Sequence, residues 1–258
     1  MKKIRIIALT NKKGGCGKTT SCVNIAGLIS KKKYKTLIID MDPQGHALLH
    51  LGITKNNVSP LFVKSLTDIN KYSDSIIFKK NEYLYITGGG KFLEEYEKNL
   101  TPNSFNPYAL KQLIYSYFID NFDFIFIDTP PSLEFLTTLS LVASKEVIIP
   151  TLTNFLSING VEEVVDFIYE IKTEYNPDIE ILGILPTFFN HRTNIGKFFL
   201  EKLKKSFGED KILPPIRNNV ALAEAPNFGK LIDEYKKNSL GNFDYTRVVL
   251  AILIKHKK

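Results

Sequence analysis

Ten residues near the start of the chain, NKKGGCGKTT at positions 11–20, constrain the fold more than any other stretch. Gly14, Gly15 and Gly17 lead into Lys18, Thr19 and Thr20, with an apolar run at 4–9 before them and helical periodicity through residue 29 after them. Glycines let backbone N–H groups approach phosphate oxygens closely, and the start of the following helix presents its positive end to the same oxygens. A loop of this kind works only between a strand and a helix, so the chain opens as strand, turn, helix. The usual pattern, G-x-x-x-x-G-K-[ST], would place glycine at position 12; here Lys12 stands there with Lys13 beside it.

Further short apolar runs at 36–40, 122–128, 146–150 and 179–185 read as buried strands. Helical periodicity lies at 109–118, 134–142, 158–171, 195–207 and 245–254, and Lys31, Lys32 and Lys33 close the first helix. Strands alternating with helices of this length predict an α/β, doubly wound, mostly parallel sheet flanked by helices on both faces. No internal repeat or composition break divides residues 1–258, which are expected to form a single domain. Residues 53–101 are the least legible part. They contain a helix at 61–69, a hairpin-like pair at 75–78 and 83–87, and the run Gly88-Gly89-Gly90, which reads as a flexible turn.

With 258 residues, 44% of them hydrophobic, the chain can bury a substantial core. It has no apolar run of eighteen residues and no signal-peptide pattern, so a cytosolic location is expected. Cys16 and Cys22 are too few for a disulfide framework and lack zinc-site spacing, and they read as small packed residues. The formal charge of +7 comes mainly from lysine, since the arginines are Arg5, Arg192, Arg217 and Arg247. That balance permits contact with nucleic acid or anionic lipid without specifying either.

Three acidic positions carry the rest of the chemistry. In IIDMDPQG, Asp40 and Asp42 are two residues apart and face one side of an extended segment; FIFIDTPPS ends an apolar strand in Asp128. The carboxyl ends of parallel strands face a bound nucleotide. In that arrangement Lys18 neutralises terminal phosphates, the Thr19 hydroxyl ligates magnesium and Asp128 holds the ion through water.

KGGCGKTT, IIDMDPQG and FIFIDTPPS, in that order, resemble the deviant Walker A, switch and Walker B motifs of the ParA/MinD family of ATPases. NNVALAEAPNFGKLIDEYKKNSLG and PTFFNHRTNIGKFF extend the resemblance to the ParA branch across residues 4–251. The resemblance implies ATP and Mg2+ as cofactors and an ATP-sandwich homodimer in which Lys13 reaches the partner's phosphates. It also implies that Lys13, Lys18 and Asp42 serve catalysis, with Asp42 orienting water. Lys13, Gly14, Gly15, Cys16, Gly17, Lys18, Thr19 and Thr20 would bind the nucleotide, Thr20 at the α-phosphate, and Thr19, Asp40 and Asp128 would form the magnesium shell. Adenine contacts would fall on Phe188, Asn190 and Pro214, although Phe188 reads equally well as a core residue.

A ParA-like protein would bind DNA without sequence preference, be recycled by a ParB-like partner through slow stimulated hydrolysis, and associate with the nucleoid. Arg192 and Lys230 are the candidate DNA contacts. The family's R-N-V-R-L-S-E-A-P reads Asn218-Asn219-Val220-Ala221-Leu222-Ala223-Glu224-Ala225-Pro226 here, so both family arginines are absent. Lys202, Lys204, Lys205, Lys236, Lys237 and the basic tail at 255–258 are available in their place. Leu152 and Asn154 stand where relatives carry glutamine and glutamate. The competing reading is a MinD-like ATPase that meets the membrane through its C-terminal helix; the segment 248–254 is too uniformly apolar for that role and instead suggests a helix packed on the sheet.

Overall fold

The computed structural model describes residues 4–54, 60–101, 104–153 and 157–255. In chain order the elements are β1 (Arg5–Leu9), α1 (Lys18–Ser30), β2 (Thr36–Asp40), α2 (His46–His50), α3 (Pro60–Thr67), β3 (Phe78–Lys79), β4 (Leu84–Gly88) and α4 (Lys91–Lys98). There follow α5 (Ala109–Leu113), β5 (Phe124–Asp128), α6 (Phe135–Ala143), β6 (Glu146–Leu152), α7 (Ser157–Glu174), β7 (Glu180–Thr187), α8 (Asn194–Phe207), α9 (Val220–Glu224), α10 (Ile232–Tyr235) and α11 (Leu240–Lys255). The strands form one sheet in the order β3-β4-β2-β5-β1-β6-β7, parallel except for β3.

Alternation along these strands sends side chains to two cores. Ile6, Ala8, Leu37, Ile39, Ile125 and Ile127 pack beneath α3, α5, α6, α7 and α8, whereas Ile7, Leu9, Ile38, Phe124, Phe126 and Ile148 pack beneath α1, α2 and α11. Burial on both faces explains why the strands read as continuous apolar runs, and each fully buried Ile or Leu contributes about 1.5–3 kcal/mol. The Arg5 guanidinium, almost wholly buried, fastens three elements by donating to both Glu146 carboxylate oxygens on β6 and to the Ile252 carbonyl on α11.

The register sets the site. Leu9 of β1 and Asp40 of β2 both stand opposite Asp128 of β5, so the carboxyl ends of three adjacent strands are level. The chain's first loop leaves β1 at this edge, where crossovers to either side diverge and leave a crevice.

The less legible segment also resolves. Of the pair expected at 75–78 and 83–87, the second strand is β4, which extends the parallel sheet beside β2, while the first is only the two-residue antiparallel β3 at Phe78–Lys79, because Asp74–Ile76 form a 3-10 turn. Gly88-Gly89-Gly90 is buried rather than a flexible turn: a Cβ on Gly88 would meet the Asp40 carbonyl oxygen at 2.6 Å, so the glycine lets β4 approach the acidic strand end. α11 buries Tyr245, Val248, Val249 and Ile252 against the fold and is longer than the periodicity at 245–254. No described helix is long and apolar enough to cross a membrane. Residues 256–258 of the basic tail, and Asn154, lie outside the described residues.

Candidate nucleotide site

The loop between β1 and α1 is shaped by two backbone conformations that L side chains rarely adopt. Gly15 has φ 69° and Gly17, the residue preceding α1, has φ 84°. The loop is anchored at several points. The Asn11 amide donates to the Pro150 carbonyl at 2.6 Å, its side-chain oxygen accepts from the Lys13 N–H at 3.0 Å, and the Thr187 hydroxyl bridges the carbonyls of Cys16 and Thr151. Lys18 is buried, and its ammonium donates to the Asn11 and Lys13 carbonyls at 2.9 and 3.1 Å. Cys16 and Cys22 are buried and free, and burial pushes both thiols up; neither joins the polar lining.

The three aspartates have different surroundings. Both oxygens of Asp40 accept backbone N–H groups, one from Asp42 and the other from Ala47 and Leu48, so this carboxylate fixes the start of α2. Asp42 accepts from the Gln44 N–H at 2.9 Å and borders the cavity. Asp128 is fully buried, and neither of its carboxylate oxygens has a hydrogen-bond partner. Burial drives its pKa up to about 7, with Asp42 adding to the rise and the Thr19 hydroxyl and Lys18 ammonium opposing it. Asp40 is raised as well, by burial first and then by the charge of Asp128. A buried carboxylate with two unused oxygens beside a threonine hydroxyl suits a hard cation, which takes oxygen ligands and whose charge relieves the repulsion. Among the described residues no group of three or more His, Cys, Asp or Glu could hold a metal by itself, so such an ion would draw further ligands from water and phosphate.

A cavity of about 600 Å³ spans this end of the sheet, lined by Gly14, Gly15, Gly17, Lys18, Thr19, Thr20 and Asp42. Its other wall is formed by Phe188, Pro226, Asn227, Leu49 and His50, with Gln44, His46 and Pro131 completing the rim. Phe188 is therefore a wall residue, half exposed and held at φ 52°. Asn190 and Pro214 are not in this lining. The Asn190 side chain instead accepts from the Arg192 N–H, and Pro226 and Asn227 line the cavity. These two belong to the Asn218–Pro226 motif and the residue after it, a stretch that reads as a DNA-contact pattern; its proline was the available signal. His50 is nearly buried; burial lowers its pKa to about 4, so the ring is neutral near pH 7.

Lys13 lies outside the cavity lining. Its side chain runs along α7 close to Gly160, where an added Cβ would meet Lys13 Cε at 3.3 Å. Lys12 pairs with Glu163 of the same helix at 2.8 Å on the surface. Arg192 and Lys230 are exposed, on the loop before α8 and after the turn Ala225–Phe228.

A doubly wound sheet with a glycine loop after its first strand, a lysine and threonine opening α1 and carboxylates on the neighbouring strand ends defines a P-loop nucleotide-binding protein. A model of an AAA domain family matches residues 4–181. The sporulation initiation inhibitor protein Soj of Bacillus subtilis is 35% identical over 92% of this chain and 93% of its own length. The chromosome partitioning protein ParA of Myxococcus xanthus is 32% identical over 93% and 85%. The chain belongs to the ParA/Soj family of partition ATPases. Among solved structures it is similar to cobyrinic acid a,c-diamide synthase of Mycobacterium smegmatis with bound ATP analog and magnesium, with a TM-score of 0.81 and 27% identity over 99% of this chain and 97% of that one.

Proposed function

We propose that this protein is an ATP- and Mg2+-dependent ParA-type ATPase whose nucleotide-bound form is a homodimer that binds DNA non-specifically and is released when a ParB-like partner stimulates hydrolysis. The observation that carries the reading is a cavity of about 600 Å³ lined by Lys18, Thr19 and Asp42, with the buried, unpartnered Asp128 carboxylate beside these three groups. In this reading the loop N–H groups and Lys18 hold the phosphates, Thr19 and Asp128 hold the cation, and Asp42 orients the attacking water. The cation would neutralise charge as it develops on the transferred phosphoryl group. Asp40 acts one step back, by holding α2 in place next to Asp42.

Lys13 is the proposed cation for the partner's nucleotide. Two subunits that enclose two triphosphates face each other across a concentration of negative charge, and a lysine supplied across the interface offsets it. In this reading α7, whose Gly160 lies close to Lys13, belongs to the same interface. Arg192 and Lys230, with Lys202, Lys204 and Lys205 on α8, are the proposed phosphate contacts to DNA, in a cytoplasmic, nucleoid-associated protein whose residues 1–258 act as one domain. The cargo moved is a plasmid, a chromosome region or another assembly.

The reading is tested by ATP-dependent sedimentation with DNA of unrelated sequences across a salt series. Counterion release predicts affinity that falls log-linearly with salt, by roughly 0.9 in the exponent for each phosphate contacted. Binding that needs no ATP, or that ignores salt, would sink the DNA branch. Light scattering tests the sandwich: Lys13→Ala is expected to retain ATP but remain monomeric, and a normal ATP-dependent dimer would remove Lys13 from its assigned place.

A further inference from the structure

Lys80, directly after β3 at the edge of the sheet, has no part in the chemistry above, yet its ammonium reaches the seam between two of the segments that form the wall opposite the phosphate loop. Nζ donates to the Leu51 carbonyl and to the Gly229 carbonyl, each at 2.9 Å. Leu51 ends α2, the helix that Asp40 fixes at its other end and that supplies Leu49 and His50 to the cavity. Gly229 closes the turn Ala225–Phe228, which supplies Pro226 and Asn227.

At this seam the backbones touch. A Cβ on Gly229 would meet Gly52 Cα at 2.8 Å, and one on Gly52 would meet Gly229 Cα at 3.3 Å. Two main-chain segments brought this close, with two carbonyl oxygens converging on one spot, repel unless a donor lies between them, and an ammonium with three N–H groups serves both. Lys80 is itself held in place by its own N–H, which donates to the Leu84 carbonyl at 2.9 Å within the ribbon. The wall opposite the phosphate loop is thus braced from a third, distant part of the chain.

We infer that Lys80 is a positioning residue for nucleotide binding: by holding the carbonyls of Leu51 and Gly229 it fixes the Pro226–Asn227 turn against α2 and sets the nucleoside end of the cavity. The inference rests on the cavity being the ATP site. It assigns Lys80 to the nucleoside half of the ligand alone, because the phosphate loop is anchored independently through Asn11 and Thr187.

The test compares Mg-ATP with Mg-tripolyphosphate, which has the phosphates but no nucleoside, by titration calorimetry on the full chain. Lys80→Met keeps the aliphatic stem and removes the donors. It is expected to weaken ATP binding about tenfold while tripolyphosphate affinity shifts by no more than about twofold, and Lys80→Arg should recover most of the ATP affinity. Equal weakening of both ligands would show that the lysine serves the fold as a whole and would overturn the inference, as would unchanged ATP affinity. A wild-type chain that binds neither ligand would instead overturn the ATP-site reading and this inference with it. Should Lys80→Met fail to fold, Lys80→Gln, which retains one donating amide, carries the same comparison.

Discussion

The two ends of the cavity are built on different principles. The phosphate end is assembled from one contiguous loop and the ends of adjacent strands at the centre of the sheet, where Leu9 and Asp40 stand in register opposite Asp128. The proposed nucleoside end takes Phe188, His50, Pro226 and Asn227 from segments far apart in the chain, with Lys80 and close backbone contact joining two of those segments. Charge placed at the centre of a parallel sheet is rigid and costly to bury. A wall of loops is more adaptable, and single changes there are expected to alter affinity more than chemistry.

The sharpest break between the ends comes from Lys18→Ala, expected to lower hydrolysis by about a thousandfold or more in a phosphate-release assay, because a cation at the terminal phosphates acts in the transition state. Turnover near wild type would place the chemistry elsewhere.

Asp128→Asn separates stability from function. The folded carboxyl titrates near 7, above its unfolded value near 4, so its favourable contribution is complete at low pH and is lost as pH rises from about 4 through 7. In EDTA at pH 8, Asp128→Asn should therefore be more stable than wild type towards urea, by about 2–4 kcal/mol at most, while its Mg2+-dependent ATP binding falls. A variant less stable at every pH would show that the charge is not the strained element.

At the other end, His50 works in the opposite direction. Its folded pKa near 4 lies below the unfolded 6.5, so the unfolded chain takes up the proton first and stability is lost as pH falls between those values. Relative to His50→Gln, wild type should lose about 2–3 kcal/mol over that window, and parallel urea curves for the two proteins would refute it. The smallest effect is expected for Phe188→Ala: roughly a fivefold loss of ATP affinity, with kcat nearly unchanged, if the ring stacks on the base. A matching fall in kcat would extend the phosphate end further than its geometry suggests.

The same contrast explains what could be read in advance. The loop, β1, β2, β5 and the three aspartates are legible because a motif that must bind phosphate also dictates the strand before it and the helix after it. Apolar runs of four to eight residues mark the buried strands for the same reason. Residues 88–90 misled because a glycine run signals freedom, whereas here the missing side chains permit β4 to press against Asp40. Asn190 and Pro214 fell beside the lining because the resemblance locates a loop without locating which of its residues turns inward. Lys80 carries no local signal at all, since both of its acceptors are main-chain carbonyls.

The chain by itself determined a doubly wound α/β sheet, a phosphate loop between its first strand and helix, and acidic strand ends beside it, because each is a local pattern with a single workable geometry. Only the tertiary structure decided that Asp40 caps α2 while Asp128 is left unpartnered, that Lys13 lies along α7, and that Pro226 and Asn227 face the cavity. Those outcomes depend on which backbone N–H and C=O groups arrive within hydrogen-bond reach once distant segments pack, and main-chain groups are the same in every sequence.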